Sequence, residues 1–355
     1  MAAAMHAVWK AHRLRFIKPA TTSRGALRDK TSYLLALRRP GDDARGLGEC
    51  SPLPGLSLDD RPDLEARLVD LCRRLAAGEA VDGAALADFP ALRFALETAR
   101  LGLDAPGGAL LPSDFTAGRR AIPINGLIWM ADRRDMAAQI RAKLDQGFRC
   151  IKLKIGALDF WEELSLLADL RREYGPDDIE IRVDANGAFH PDEALEKLRW
   201  LADLELHSIE QPIRAGQWQA MARLVEETPL PIALDEELIG VHDPCARQAL
   251  LDTVRPHYLI LKPSLLGGLA AAQRWIGLAG ERGIGWWVTS ALESNLGLNV
   301  LAQWTATLDN PLPQGLGTGL LYTDNLPSPL SIRGGELHFD PDFDADGYWR
   351  FFEHV

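Results

Sequence analysis

Short apolar runs alternate with longer amphipathic segments along the chain from about residue 121. In IEIRVD the residues Ile179, Ile181 and Val183 alternate with charged residues, which is the pattern of a strand. Segments such as DFWEELSLLADLRREYG are amphipathic and predict helices. The apolar runs are IPINGLIW, CIKLKIG, IEIRVDA, HSIEQP, PIALDE, YLILKP, GWWVTS and a weaker one near QGLGT. Eight strands alternating with helices predict an α/β fold with a (β/α)8-type barrel. A doubly wound sheet is the alternative, although no GxGxxG follows the first strand.

The first part of the chain, residues 1–120, has a different pattern and predicts an α+β domain. VWKAHRLRFI and TSYLLALRR are expected to be strands, joined by the polar loop KPATTSRGALRDK. GLGECSPLPGLS is rich in glycine and proline, so we expect a loop there. Two helices are expected at about 60–77 and about 89–104. The barrel domain then extends over residues 121–324.

The composition is that of an average globular protein and limits the possible partners. The 355 residues are 47% apolar and 25% charged, and the net charge is −11 without a basic cluster. This argues against binding to nucleic acid or to an anionic membrane surface. The four cysteines are far apart, which favours buried thiols in a reducing cytoplasm over disulfides or a zinc site. We expect no signal peptide and no membrane span, and the oligomeric state stays open.

Charged residues stand at the ends of five successive apolar runs. They are Lys152 and Lys154, then Asp184, Glu210, Asp235 and Lys262. The gaps from Lys154 onward are 30, 26, 25 and 27 residues, and each gap is about one βα unit. In a barrel these strand ends meet at one mouth, where active sites are built. Taken singly, each residue has an ordinary alternative as a surface lysine, a salt-bridge partner or an acidic turn, but the joint spacing favours a site.

The residue types suggest a chemistry. Three carboxylates suit Mg²⁺, and the absence of neighbouring histidine or cysteine argues against zinc. Lys152 and Lys154 are two apart on a strand and therefore face the same way. Crowding by like charges favours the neutral amine that a general base requires, and Lys262 is expected across the barrel. A metal with a lysine base can remove a proton next to a carboxylate and stabilise the resulting enediolate.

The motifs that carry these residues resemble the enolase superfamily, in particular its muconate-lactonizing subgroup. The motifs are KLK, RVDANGAF, IEQP, LDEE and LKPS, in this order, and the resemblance covers nearly the whole chain. It implies a modified (β/α)8-type barrel under an α+β capping domain that residues 325–355 complete. It also implies site roles: Asp184, Glu210 and Asp235 as ligands of Mg²⁺ (or Mn²⁺), Lys154 as base, Lys262 as the lysine of the other face and Lys152 as support. The seventh run ends VTSALESN without histidine, so the base of the mandelate racemase subgroup is absent.

Within the subgroup the sequence is similar to the dehydratases of menaquinone biosynthesis. The cues are Arg182, Asn186, TSALESNLGLN and PQGLGTGLLY. The similarity implies a lyase that acts on a small carboxylate, 2-succinyl-6-hydroxy-2,4-cyclohexadiene-1-carboxylate, by syn-dehydration, with Lys154 removing a proton and returning it to the departing hydroxyl. The implied substrate contacts are Arg182, Asn186, Ser290, Gly315 and Gly317. Glu236 and Glu293 are implied partners of the lysines or the metal ligands.

Several alternatives stay open. The loops at about 20–30 and 48–58 are expected to close over the substrate. Their charged residues Arg24, Arg28 and Lys30 are candidate anion contacts, although solvated charge is favoured. Racemisation of N-acyl amino acids or epimerisation of dipeptides would also use Lys154 and Lys262. The segment QGLGTG lacks the Asp-x-Asp pair that dipeptide epimerases usually carry. A non-catalytic metal-binding scaffold and phosphoryl transfer are more remote, since a metal alone needs no lysine pair and phosphate loops are lacking.

Overall fold

The structure is a computed structural model and describes residues 4–22, 25–41, 44–105 and 109–352. The strands are β1 (His6–Thr22), β2 (Gly25–Arg38), β3 (Arg45–Cys50), β4 (Ile122–Pro123), β5 (Gly126–Ile128), β6 (Cys150–Lys154), β7 (Glu180–Asp184), β8 (Ser208–Glu210), β9 (Ile232–Leu234), β10 (Tyr258–Leu261), β11 (Gly285–Val288), β12 (Leu330–Arg333) and β13 (Glu336–Phe339). The α-helices are α1 (Leu64–Ala76), α2 (Pro90–Asp104), α3 (Arg133–Asp145), α4 (Phe160–Glu173), α5 (Pro191–Ala202), α6 (Trp218–Glu227), α7 (Pro244–Val254), α8 (Pro263–Leu266), α9 (Leu269–Gly280) and α10 (Asn295–Ala306). Short 3-10 helices cover Ala84–Leu86, Glu236–Leu238 and Ala345–Phe352.

A seven-stranded parallel sheet occupies the centre of the chain, in the order β5-β6-β7-β8-β9-β10-β11. Two isolated parallel bridges, Ile124 with Gln314 and Thr289 with Gly315, connect its two edges. The predicted α/β barrel class is confirmed, but the eighth strand expected near QGLGT is wrong. That segment pairs with each neighbour at a single position, so it closes the barrel through bridges and not through a ladder.

The first predicted barrel strand, IPINGLIW, is divided in two. Ile122 and Pro123 form β4, which pairs antiparallel with β13, whereas β5 pairs parallel with β6. The break lies at Ile124 and Asn125, where the chain turns from one sheet into the other. A single apolar run therefore serves two sheets.

Alternation along the barrel strands separates the core from the barrel interior. Ile151 and Leu153 of β6 belong to the large apolar core cluster, together with helix residues such as Leu166 and Leu170. Lys152 and Lys154 alternate with these two residues along the strand and so point to its opposite face. The apolar pattern that builds the core also delivers the lysines to the interior.

An antiparallel sheet of order β1-β2-β3 precedes the barrel. The polar loop expected between its first two strands is wrong, because β1 continues to Thr22 and β2 begins at Gly25. The register shifts between Arg15 and Ala20, a stretch that contains Pro19, which has no N–H to donate. Much of this long hairpin is exposed, so its polar sequence is compatible with strand structure.

The segment GLGEC, which was expected to be a loop, is most of strand β3. A Cβ added at Gly48 would lie 1.9 Å from the carbonyl oxygen of Ala95, and one added at Gly46 would lie 1.8 Å from that of Ala99. The glycines therefore allow helix α2 to approach the strand closely. Helices α1 and α2 agree with the two helices predicted for this region.

The C-terminal part of the chain packs against the N-terminal sheet. Tyr348 and Phe352 share an apolar cluster with Leu34, Ala36 and Leu47. This is the contact expected if residues 325–355 complete the N-terminal domain, although the domain boundaries at 120 and 324 stay predictions. Among the residues described above, no helix is both long and apolar enough to cross a membrane.

Candidate active site

A cavity of about 330 Å³ lies at the carboxyl ends of the barrel strands. Lys152, Lys154 and Lys262 line it from the barrel. The N-terminal part lines it with residues between Ala20 and Leu27 and between Leu53 and Leu56. Both segments expected to close over a substrate therefore contribute to its walls.

The parallel register brings the charged strand ends together. Lys154 is paired in register with Asp184, and Asp184 in turn with Glu210. Asp235 and Lys262 directly follow the next two strands, β9 and β10. Each of the six predicted metal and lysine side chains is less than a tenth exposed. The spacing of one βα unit thus gathers the six in a buried cluster.

Lysine and carboxylate groups alternate within this cluster. The Nζ of Lys152 lies 2.8 Å from Asp184 Oδ2 and 2.5 Å from Glu210 Oε2. The Nζ of Lys154 lies 2.5 Å from the same oxygen of Asp184, and Lys262 pairs with Asp235. Three lysine amino groups are therefore interleaved with three carboxyl groups.

The pKa values of the lysines diverge because their neighbours differ. Burial lowers the pKa of Lys154, and repulsion from Lys152 and Lys262 acts in the same direction against the attraction of Asp184. Burial also acts against the charge of Lys152, but attraction by Asp184 and Glu210 outweighs it and raises the pKa. For Lys262, burial is likewise outweighed by Asp235 and Glu210, and the pKa is raised.

The carboxylates form a concentration of negative charge that fits a divalent cation. Burial, followed by repulsion from Asp184 and Asp235, raises the pKa of Glu210 to about 8. Its Oε1 is buried and accepts no hydrogen bond from the described part of the chain. Within that part no three acidic, histidine or cysteine side chains are preset around one point as metal ligands. Instead, the ammonium of Lys152 lies between two of the carboxylates. The donor set is all oxygen and includes one oxygen without a hydrogen bond, which is the type that Mg²⁺ takes.

Asn186 holds the end of Lys154. Its Oδ1 accepts a hydrogen bond from Lys154 Nζ at 2.9 Å, and its Nδ2 donates to Glu236 Oε1 at 2.9 Å. Its backbone is left-handed, with φ of +47°. Asn186 was predicted to contact substrate, but its side chain is committed to Lys154 and Glu236. Glu236 contacts a lysine through this amide.

Three of the predicted substrate contacts, Ser290, Gly315 and Gly317, line the cavity. Ser290 Oγ donates to Glu293 Oε2 at 2.6 Å and accepts from Thr318 Oγ1 at 2.9 Å. Glu293 is fully buried and also accepts a hydrogen bond from Ser264. Glu293 therefore fixes the cavity wall at Ser290 and makes no hydrogen bond or ion pair with Lys152, Lys154 or Lys262.

Arg182 lies below the cavity and not on it, contrary to the prediction. Its guanidinium stacks on Trp287 at 4.0 Å and donates to Glu180 at 2.6 Å and to the Pro313 carbonyl at 2.8 Å. It shares the face of Asp184, but two residues along a strand place it roughly 7 Å deeper. The alternation of residues along a strand predicts the face of the sheet on which a side chain lies, but not how far below the mouth of the barrel it lies.

The three basic residues of the hairpin that were candidate anion contacts differ in their surroundings. Arg24 lies outside the described residues, and Arg28 is exposed, as solvated charge would be. Lys30 is 2% exposed, so the expectation of solvated charge is wrong for it. Around Lys30, residues of β2 alternate between half-buried and buried, and position 30 falls on the buried face. Sequence reasoning also missed Leu292 and Thr318, which line the cavity from within the segments TSALESNLGLN and PQGLGTGLLY.

Comparison with known proteins agrees with this architecture. A family model described as enolase C-terminal domain-like matches residues 135–342. The o-succinylbenzoate synthase of Desulfotalea psychrophila is 50% identical over 356 residues, which cover 91% of this chain and 96% of that protein. The crystal structure of MenC from the same organism has a TM-score of 0.85 and 47% identity, covering 94% of this chain and 99% of that one.

More distant structures share the fold. Muconate lactonizing enzyme from Pseudomonas fluorescens, complexed with muconolactone, is 26% identical with a TM-score of 0.82, covering 99% of this chain and 100% of that one. A dipeptide epimerase from Cytophaga hutchinsonii, complexed with Mg and D-Ala-L-Val, is 20% identical with a TM-score of 0.80, covering 96% and 94%. The chain belongs to the enolase superfamily and, within it, to the family of the o-succinylbenzoate synthases.

Proposed function

We propose that this protein is a lyase that converts 2-succinyl-6-hydroxy-2,4-cyclohexadiene-1-carboxylate to o-succinylbenzoate, a step of menaquinone biosynthesis, by Mg²⁺-dependent syn-dehydration. The observation that carries the proposal is a buried cluster in which the lysines that line one cavity, Lys154 and Lys262 among them, pair with three carboxylates. The 50% sequence identity to an o-succinylbenzoate synthase, over 91% of this chain, supports the choice of substrate.

Asp184, Glu210 and Asp235 are the residues that would hold Mg²⁺, for which Mn²⁺ could substitute. They supply buried carboxylate oxygens from three adjacent strands, and Glu210 Oε1 accepts no hydrogen bond from the described residues. When bound, the cation supplies positive charge that stabilises the charge developing on the substrate carboxylate. The epimerase from Cytophaga hutchinsonii, which has the same fold, is complexed with Mg.

Lys154 is the residue we assign to proton transfer. As a neutral amine it takes the proton from the ring carbon next to the carboxylate, and the electron pair of the C–H bond moves into the carboxylate to give an enediolate. The ammonium of Lys154 then donates the same proton to the hydroxyl on the same face. The electron pair of the enediolate returns to form a ring double bond as the C–O bond breaks, water leaves and the ring becomes aromatic. Asn186 and Asp184 hold the Nζ of Lys154 in place for both transfers.

Lys262 and Lys152 have supporting roles in this proposal. The ammonium of Lys262, kept charged beside Asp235, stabilises the negative charge of the enediolate from the other side. Lys152 links Asp184 and Glu210 and holds their carboxylates in position. The partner is therefore a small carboxylate, and the cytoplasmic location stays a prediction.

The succinyl group needs a second recognition region. On one side the cavity is lined by Ser290, Gly315, Gly317 and Thr318. The hydroxyl protons of Ser290 and Thr318 are donated to Glu293 and Ser290, and the N–H of Gly315 to the Val288 carbonyl, so we assign the backbone N–H of Gly317 as the donor to the carboxylate. A neutral donor can orient a carboxylate without competing with the lysines for the ring carboxylate. We assign the succinyl end to this side.

The test is a spectrophotometric assay of the purified protein with the diene substrate and Mg²⁺, with and without EDTA. We expect rapid loss of the diene absorbance, abolished by EDTA and reduced by about 10³-fold or more in Lys154→Ala. The matched control is Lys18→Ala, an exposed lysine of the N-terminal hairpin, which should keep full activity.

Racemisation is the alternative activity, because Lys154 and Lys262 could also remove and return a proton on opposite faces of one carbon. No loss of diene absorbance, together with uptake of deuterium from solvent into N-succinyl amino acids, would identify a racemase. Loss of absorbance that is unaffected in Lys154→Ala would contradict the assignment of the base.

A further inference from the structure

Lys30 is a buried lysine that the proposed reaction does not use. It lies on β2 of the N-terminal sheet and is 2% exposed. Its Nζ donates to Ser51 Oγ at 2.7 Å, to the Ser51 carbonyl at 3.2 Å and to the Leu292 carbonyl at 3.0 Å. The first two acceptors belong to the N-terminal part and the third to the loop after β11. One ammonium therefore connects the two parts of the molecule beside the cavity.

The hydrogen-bond acceptors of Lys30 are all neutral. Within the described residues no carboxylate lies within ion-pair distance of it. The charges of Glu49 and Glu293 attract Lys30, but these carboxylates accept hydrogen bonds from Ser294 and from Ser264 and Ser290. A lysine buried without a direct counter-charge is costly, so a structural role alone would be met better by a neutral side chain.

Leu292, the distant acceptor, has an unusual backbone. It lines the cavity and has a φ of +62°, in the left-handed region that a residue with a branched side chain rarely adopts. Its carbonyl accepts from Lys30 and also from Tyr322 Oη at 2.7 Å, and its N–H donates to Ser290 Oγ at 3.0 Å. Contacts from three parts of the chain thus hold the backbone of Leu292 in place.

We infer that Lys30 is a positioning residue, which fixes the Leu292 wall of the cavity and so controls how tightly the substrate is held. The inference rests on the proposed function for its assay. None of the hydrogen bonds of Leu292 described above goes to the lysine–carboxylate cluster. Loss of this wall should therefore weaken substrate binding more than it slows proton transfer. Lys30 also ties the wall to the N-terminal sheet that roofs the cavity.

The hydrogen bond between Lys30 and the Leu292 carbonyl is expected to depend on pH. Burial is the main cause that lowers the pKa of Lys30 to about 8, against the attraction of Glu49 and Glu293. Above that pH the amine loses its charge and one of its three donors, and its hold on the Leu292 carbonyl weakens. Of the other groups that face it, Cys50 and Tyr322 have pKa values raised well above their usual ranges by burial, and so stay neutral. The pKa of Glu293 is also raised by burial.

The test compares kcat and KM of the Mg²⁺-loaded protein between pH 7 and pH 9.5 in four variants: Lys30→Met, Lys30→Arg, Tyr322→Phe and the exposed control Lys18→Met. We expect Lys30→Met to raise KM about tenfold at pH 7 with kcat nearly unchanged. The KM of the wild type should rise above pH 8 toward that of Lys30→Met. Lys30→Arg, which stays charged, should restore binding and remove the rise. Tyr322→Phe should raise KM but keep the rise, and Lys18→Met should match the wild type.

Two results would overturn the inference. One is a folded Lys30→Met protein with the KM and pH profile of the wild type. The other, independent of any assay, is a crystal structure of Lys30→Met in which Leu292 keeps its positive φ and its place on the cavity wall. If Lys30→Met does not fold, the inference is contradicted by a wild-type KM that does not change between pH 7 and pH 9.5, together with an unchanged KM in Tyr322→Phe. A wild type without dehydratase activity would contradict the proposed function, while the crystal structure would still decide on Lys30.

Discussion

At the scale of single residues, the buried charges of the active site depend on one another. Asp184 is fully buried and serves two ammonium groups, those of Lys152 and Lys154. Attraction by these lysines outweighs burial and holds the pKa of Asp184 well below its usual range. Removal of one charge leaves its counterparts buried without compensation, so substitutions here affect both stability and chemistry.

Asp184→Asn tests this position directly. The amide keeps the shape but loses the charge that the metal and both lysines require. We expect Mg²⁺-dependent turnover to disappear, and the free energy of unfolding to fall by about 3 kcal/mol in a protein that still folds. Activity assays and urea denaturation measure the two effects, and Asp192→Asn on the exposed face of α5 is the control. Full activity in Asp184→Asn would show that the metal site is wrongly assigned.

At the scale of secondary-structure elements, the packing of α2 on β3 depends on two glycines. Gly46 and Gly48 have no side chain to separate the strand from the helix backbone. Because the Cβ of an alanine at position 48 would overlap the Ala95 carbonyl, the helix would have to move away from the sheet. The same contact explains why a glycine-rich sequence forms a buried strand here.

Gly48→Ala should therefore destabilise the protein by about 1–3 kcal/mol, the usual cost of overpacking. The matched control is Gly277→Ala within α9, where an added Cβ meets nothing within 4 Å. That change should leave stability unchanged or raise it by about 0.5–1 kcal/mol, because alanine favours helix. Chemical denaturation of both variants measures the difference. Equal effects of the two substitutions would show that α2 can adjust to the strand without cost.

Local patterns predicted much of this fold and site, and long-range contacts account for what they missed. The strand ends that carry Asp184 and Lys262 repeat at the period of one βα unit, so sequence alone placed them at one mouth. The depth of Arg182 depends on the barrel interior around Trp287, which alternation does not describe. Lys30 owes its role to Leu292, 262 positions away, and no local signal joins the two.

At the scale of the whole molecule, acidic residues of the N-terminal part cap helices of the barrel. Glu97 of α2 accepts from the N–H groups of Leu269 and Ala270, at 2.7 and 2.9 Å, at the start of α9. Glu49 of β3 accepts from the N–H groups of Ser294 and Gly297, at 2.8 and 2.9 Å, at the start of α10. Negative charge is favourable at a helix N-terminus. These contacts make the stability of the barrel depend on the N-terminal part.

Glu97→Ala should lower the stability of the whole chain by about 1 kcal/mol, since it leaves two N–H groups of α9 without their acceptor. We expect one transition at a lower midpoint, with far-ultraviolet circular dichroism and tryptophan fluorescence coinciding. Glu226→Ala, on an exposed position of α6, provides the comparison. Two separate transitions in Glu97→Ala would mean that this contact alone couples the two parts, and an unchanged midpoint would mean that it contributes nothing.

The arrangement in which each βα unit carries its own functional residues has a consequence for evolution. Each unit delivers its own side chain to the mouth, while its helix lies on the outside and contributes nothing to the chemistry. A lineage can therefore exchange, lengthen or shorten the outer helices and loops without disturbing the floor of the cavity. The walls, drawn from the N-terminal hairpin and from segments after β11, can change separately. Related proteins can thus come to accept new substrates through substitutions in the cavity walls, while the residues that transfer the proton stay unchanged.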